Sequence, residues 1–332
     1  MEILVFQVVI TVFTLIGLTL TAPTGSIFYN FGILADLDKD AIVKGTPGTY
    51  SSILKFGQLQ YVNGKYEFYV NHMGSPIKTH FAYGGRGAEL SELVKFNNKY
   101  YTVCDKTGIV FELDNYGYLI PWAILATGNG NQERGFKAEW ATVKDNKLYV
   151  GSTSIEFRDP KKGVNADSSW VKVIDDKNVV THKSWKVYYD KVRKAMKIPD
   201  TGYIWHESVI WSEKNRQWVM VPRKCTKEPF SEETNEKIGC NKIILADENF
   251  NNIKIVKIKD QPLHPAAGFS SSKFLPGSDD KIIVALRTVE NDRETPTYVL
   301  IFDLEGNVLM KERKIESRKF ESIEFYMPDS YK

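Results

Sequence analysis

One motif that returns five times constrains this chain more than any other feature. Gly135–Trp140 reads GFKAEW, and related strings open at Gly84 (GGRGAELSEL), Gly202 (GYIWHESVIW), Gly268 (GFSSSKF) and Lys319 (KFESIEF). Each sets a Ser or Glu at the head of an apolar, strand-like run: Ser91, Glu139, Glu207, Ser270 and Glu321. Units that begin alike and cannot bury a core alone must stack on one another, so the motif predicts a repeat architecture.

Between the heads lie short strands and tight turns. Runs rich in β-branched and aromatic residues are separated by Asn63-Gly64, Asn97-Asn98, Thr107-Gly108 and Asp145-Asn146, which are hairpin-turn dipeptides. Aromatics make up 13% of the chain, which suits half-buried strand positions. The heads are spaced by 48, 68, 63 and 51 residues, and Asp36 precedes Ser91 by 55. These uneven periods match a four-stranded propeller blade with its loops, so the chain is expected to be an all-β, five-bladed propeller. Its closing blade pairs a strand near Ile33 with Ser322–Tyr326. One peripheral helix interrupts the strands, capped by Ser184 and stopped by Pro199. Its apolar face is Trp185, Tyr188, Tyr189, Val192 and Met196, and its basic face reads as solvated.

Residues 3–20 are almost wholly apolar and are followed by Thr21-Ala22-Pro23, the pattern of a secretory signal peptide cleaved after Thr21. Residues 22–332 then form a single domain with no membrane attachment after cleavage. Cys225 and Cys240 flank a polar loop that a disulfide would staple, the alternative being three reduced core thiols; Cys104 reads as buried and free. The net charge of +3 is spread too thinly for a nucleic-acid partner. No GxxxxGK[ST] loop is present, and the acidic run at Asp36–Asp40 fails as an EF-hand because Ala41 and Pro47 replace the required Gly and Glu. His206 reads as a hydrogen-bonded core histidine, and the Trp-rich runs around Trp122, Trp140, Trp205 and Trp211 as inter-blade packing.

In a propeller the first strand of each blade lines the channel, so equivalent heads converge on the axis. Three Glu and two Ser meeting there call for a counter-charge. With oxygen donors and no Cys/His cluster, a hard cation is favoured, and a ring drawn from separate blades suits calcium better than octahedral magnesium. The plain alternative is five strand-end residues with no metal.

The strings GGRGAELSEL, VCDKTGIVFEL, PWAIL, GFKAEW, LYVG, GYIWHES, VPRK, GFSSSKF, DDKIIVAL and FESIEF together resemble the Cimex-type apyrases, or calcium-activated nucleotidases, from Ile33 to Phe325. The members most similar are salivary apyrases of sand flies. The resemblance implies an axial calcium ion held by Ser91, Glu139, Glu207, Ser270 and Glu321, the serines through their carbonyls. It implies catalytic carboxylates at Asp36 and Asp105 and phosphate-facing arginines at Arg86 and Arg223. Where many relatives carry an acid before Asp105, this chain has Cys104. The implied protein is a secreted apyrase, a monomer or weak dimer, that hydrolyses ADP and ATP and blocks platelet recruitment in saliva. The competing class is a non-catalytic, calcium-stabilised propeller that binds small ligands.

Overall fold

The computed structural model describes residues 26–326 apart from 115–116, 160, 162 and 291–294, so the expected signal peptide lies outside the described residues. Five four-stranded antiparallel sheets form the blades of a propeller. Blade 1 runs outward from Phe320–Tyr326 through Ile27–Ala35 and Tyr50–Val62 to Lys65–Thr79. The innermost strands of blades 2 to 5 are Leu90–Phe96, Trp140–Lys144, Val209–Ser212 and Gly268–Phe274. Each innermost strand touches the next, and the fifth touches the first, which closes the ring. Closure pairs the two ends of the chain as expected: Phe31 lies opposite Phe325 and Ile33 opposite Ile323.

Blades face one another across apolar layers, so among the described residues the core comes in five large pieces, one per interface, beside two small clusters. Phe31, Ile33 and Phe68 meet Val284, Leu286 and Val299 between blades 1 and 5. Leu34 and Leu54 meet Leu93 and Phe111 between blades 1 and 2, where Cys104 is also packed as a free thiol. Val103 and Val110 meet Leu148 and Val150 between blades 2 and 3. Trp140 and Val171 meet Trp211 and Trp218 between blades 3 and 4. Val219 and Ile243 meet Phe269 and Phe302 between blades 4 and 5.

The hairpins turn as their dipeptides predict. Asn63-Gly64, Asn97-Asn98 and Asp145-Asn146 all have positive φ at both central residues, the geometry whose twist matches that of the flanking strands.

Four expectations change. Ser184 ends the strand Val180–Ser184 and caps nothing. Helix α1 spans Lys186–Ala195 behind Trp185, with no side-chain cap. Its basic face is not simply solvated, since Lys186 pairs with Glu156 and Asp190, and Arg193 with Asp190. Trp205 is not an inter-blade residue but faces the axial cavity described below. His206 is buried and stacks on Tyr189, yet its Nδ1 meets no hydrogen-bond partner, and burial pushes its pKa down to about 3.

Deeper along the axis the packing turns polar. Lys273 lies between Glu92 and Glu324, at 3.4 and 3.6 Å, and Ser271 Oγ donates to Glu92. Burial pushes Glu92 up to about 8, with Lys273 opposing.

Closure through one strand makes its apolar residues stability-critical. Ile323→Ala is expected to cost about 2–5 kcal/mol in urea denaturation. Ile124→Ala, at a side chain 74% exposed, should stay within about 0.5 kcal/mol.

Candidate functional site

Three heads sit where an innermost strand carries one residue more than its neighbour, and Glu139 and Glu207 sit just ahead of theirs. The pairing register skips Ser91 between Leu90 and Glu92, Ser270 between Phe269 and Ser271, and Glu321 between Phe320 and Ser322. Glu139 N donates to Gly151 O (2.8 Å), although Trp140 already stands opposite Gly151. Trp205 O accepts from Arg223 N and Ser208 O from Val221 N, leaving His206 and Glu207 against Pro222 alone. Such bulges take the extra residue out of the ladder and re-aim it.

The result is a cavity of about 960 Å³ at one end of the axis. Glu139, Glu207 and Glu321 line it together with Asp36, Asp105, Arg86 and Arg223, so seven of the nine expected site residues meet there. Ser91 and Ser270 are buried but do not line the cavity. Ser270 Oγ donates to Phe320 O (3.2 Å), while Ser91 Oγ has no partner. Cys104 points into the layer between blades 1 and 2, with its thiol pushed up to about 11 by burial, so the departure at that position falls on packing.

A second tier of site residues lies two positions before each head. In three blades the side chain there touches its own head: Lys137 meets Glu139, Trp205 meets Glu207 and Lys319 meets Glu321. The positions are Glu89, Lys137, Trp205, Gly268 and Lys319. Lys137 Nζ donates to Asp105 Oδ2 (2.8 Å) and contacts Glu139 Oε1 without hydrogen-bond alignment. Lys319 Nζ reaches Asp36 (3.0 Å), Asp38 (2.7 Å), Glu290 and Glu321 (both 3.5 Å). Gly268 leaves the space that Arg223 fills, since a Cβ there would sit 2.6 Å from Arg223 Cγ. Arg223 contacts Glu207 and donates to Glu321 (3.0 Å) and Glu290 (2.8 Å), and Arg86 holds Glu89 and Asp38.

This network joins eight carboxylates to four cations. The excess negative charge is visible in the acids. Burial, reinforced by neighbouring carboxylates and opposed by Lys319 and Lys137, raises Asp36 and Glu139 well above the usual range. Burial also pushes Glu89 and Glu321 up to about 7. Glu290, with its side chain half exposed, goes the other way: against partial desolvation, Lys319 and Arg223 hold it at about 2. Asp105 Oδ1 is buried with no hydrogen-bond partner, and Glu139 Oε1 has only the Lys137 ammonium beside it. Asp36, Asp38 and Glu89 offer oxygens within 4.8 Å of one another. A buried, oxygen-only site with surplus carboxylates and orphaned lone pairs fits a hard divalent cation.

Without such a cation, the raised acids tie stability to pH. The folded chain binds more protons than the unfolded one between the ordinary value of 4.5 and about 7, so its stability falls as pH rises through that window. Thermal melts in chelator should show the decline, and Glu321→Gln should make it shallower by on the order of 1 kcal/mol per pH unit.

The sequence as a whole carries a clear relationship. An apyrase family model matches residues 37–326. The chain is 50% identical to an apyrase of Phlebotomus duboscqi over 93% of this chain and 91% of that protein. It is 40% identical to an apyrase of Cimex lectularius, covering 90% and 82% of the two chains. It is 38% identical to the soluble calcium-activated nucleotidase 1 of Rattus norvegicus, covering 91% and 74%. A five-bladed propeller with an acidic, arginine-bearing axial cavity and these relatives together place the chain in the apyrase family of nucleotide phosphohydrolases.

Proposed function

We propose that the axial cavity is a calcium-dependent site that cleaves ADP and ATP to monophosphate and phosphate. The observation that carries this reading is the surplus of carboxylates, with Asp105 Oδ1 buried and unpartnered, beside Arg86 and Arg223 in one cavity. Glu139, Glu207 and Glu321 would hold the ion through carboxylates, and Ser91 and Ser270 through carbonyls. The bulges that take both serines out of the pairing register support that role. Calcium is favoured over magnesium because the donors come from separate blades, and one relative is named a calcium-activated nucleotidase. When bound, the cation supplies charge neutralisation at the phosphate oxygens.

The protein's own groups do the rest. Arg86, Arg223, Lys137 and Lys319 now neutralise carboxylates; they would turn their N–H groups to the phosphate oxygens as substrate enters. Asp105 Oδ1, buried and without a donor, would accept from the attacking water and orient it. Asp36, whose raised affinity for a proton makes it a stronger base once it is ionised, would take the water's proton as the water oxygen bonds to the terminal phosphorus and the bond from that phosphorus to the bridging oxygen breaks, releasing the shortened nucleotide. The Cys225–Cys240 disulfide fits the oxidising compartment of a secreted protein. Secretion into saliva, where loss of ADP blocks platelet recruitment, is the role that the resemblance to sand-fly enzymes implies.

The test is phosphate release from ADP and ATP. Release should require calcium, stop with chelator, and be weaker with magnesium substituted. Binding of nucleotide without turnover would instead favour the non-catalytic propeller. Glu139→Ala should lose activity and also the rise in melting temperature that calcium gives the parent protein. That rise should be larger at pH 8 than at pH 5, because the ion must displace protons from the raised carboxyls.

A further inference from the structure

The phosphohydrolase reading accounts for the ionic lining of the cavity but not for its aromatic corner. Among the described lining residues only Trp205 and Phe230 present aromatic rings. Trp205 is the one aromatic in the tier two positions before the heads, and its Nε1 donates to Glu207 Oε1 (2.8 Å), which fixes the ring beside the proposed metal ligands. Phe230 comes from outside the blades. It sits on the arm between Cys225 and Cys240, which leaves the small sheet where Tyr203–Trp205 pairs with Lys224–Thr226.

The arm is tied down at several points. The disulfide closes its neck, Tyr203 Oη donates to Asn235 Oδ1 (2.9 Å), and Lys224 Nζ donates to Ile238 O (2.8 Å). Phe230 itself packs edge-on against Tyr203 (5.5 Å) and Phe157 (5.9 Å) and lies 6.3 Å from Trp205. These rings hold it between the axial cavity and a smaller side cavity of about 270 Å³. An apolar ring held this firmly against a wall of charges needs a ligand with a flat, apolar face. A nucleotide has that face at the end opposite its phosphates.

We propose that the disulfide-closed arm is the nucleoside-recognising wall of the axial cavity, with Phe230 and Trp205 taking the base while the basic residues take the phosphates. The proposal rests on the phosphohydrolase reading and adds to it where the base sits. Stacking on a ring tolerates any base, so the arm favours nucleosides as a class over base-free phosphates.

Calorimetry in calcium with two non-hydrolysable ligands tests this: α,β-methylene-ADP, and methylenediphosphonate, which lacks the nucleoside. The parent protein should bind the nucleotide analogue at least tenfold more tightly. Phe230→Ala should shrink that ratio by about tenfold, Phe230→Trp should keep it, and Phe230→Leu, which retains bulk without a ring, should resemble Phe230→Ala. An unchanged ratio in Phe230→Ala, or full retention in Phe230→Leu, overturns the arm's role while leaving the phosphohydrolase reading intact. Binding of neither ligand by the parent protein overturns both.

Discussion

Mutual repulsion among carboxylates gathered at one point is the constraint on which this molecule turns. Two like charges 4.8 Å apart, the spread of Asp36, Asp38 and Glu89, repel by about 3 kcal/mol at an effective dielectric of ~20. The chain tolerates this in two ways. Lys137, Lys319, Arg223 and Arg86 each bridge two or more acids, and several acids hold their protons to unusually high pH. Both devices are reversible, which separates this site from a merely stabilising ion-pair cluster. A group bridging carboxylates can be released by a competing cation, and a carboxyl proton held by crowding is displaced when that cation binds.

The fold supports that crowding by keeping its hydrophobic core elsewhere. Five apolar layers lie between blades, and the axis is left to polar groups from the cavity through Ser208 and Ser272 to Glu92 and Lys273. Radial burial of Trp140, Trp218 and Phe302 thus holds the ring shut against repulsion at its centre. The bulges work in the same direction, since each interrupts the ladder only at the axial end of a strand that is otherwise fully paired.

The heads were legible in the sequence because the repeat sets the same chemistry at the same point of each blade. The blade count, the closing strand pair, the hairpin turns and the disulfide neck were legible for similarly local reasons. The tier two residues earlier was not, because its members are Glu89, Lys137, Trp205, Gly268 and Lys319, and unlike residues leave no repeat signal. Glu290 enters from a loop and Asp38 from a one-turn 3-10 helix, too short for any periodicity to show. Ser184 misled because a strand abuts the helix directly, so a residue with capping chemistry was already committed to pairing with Trp170.

Closure of blade 1 has a consequence for when the site comes into being. Asp36 follows the first described strand and Glu321 lies in the last, and Lys319 Nζ contacts both. A chain that lacks only Lys319 and its last strand holds Asp36 and four of the heads but neither Lys319 nor Glu321. The site is therefore not inherited blade by blade. It appears in a single event when the last strand docks, so a molecule broken off before that point lacks the cavity altogether and does not carry a weaker version of it.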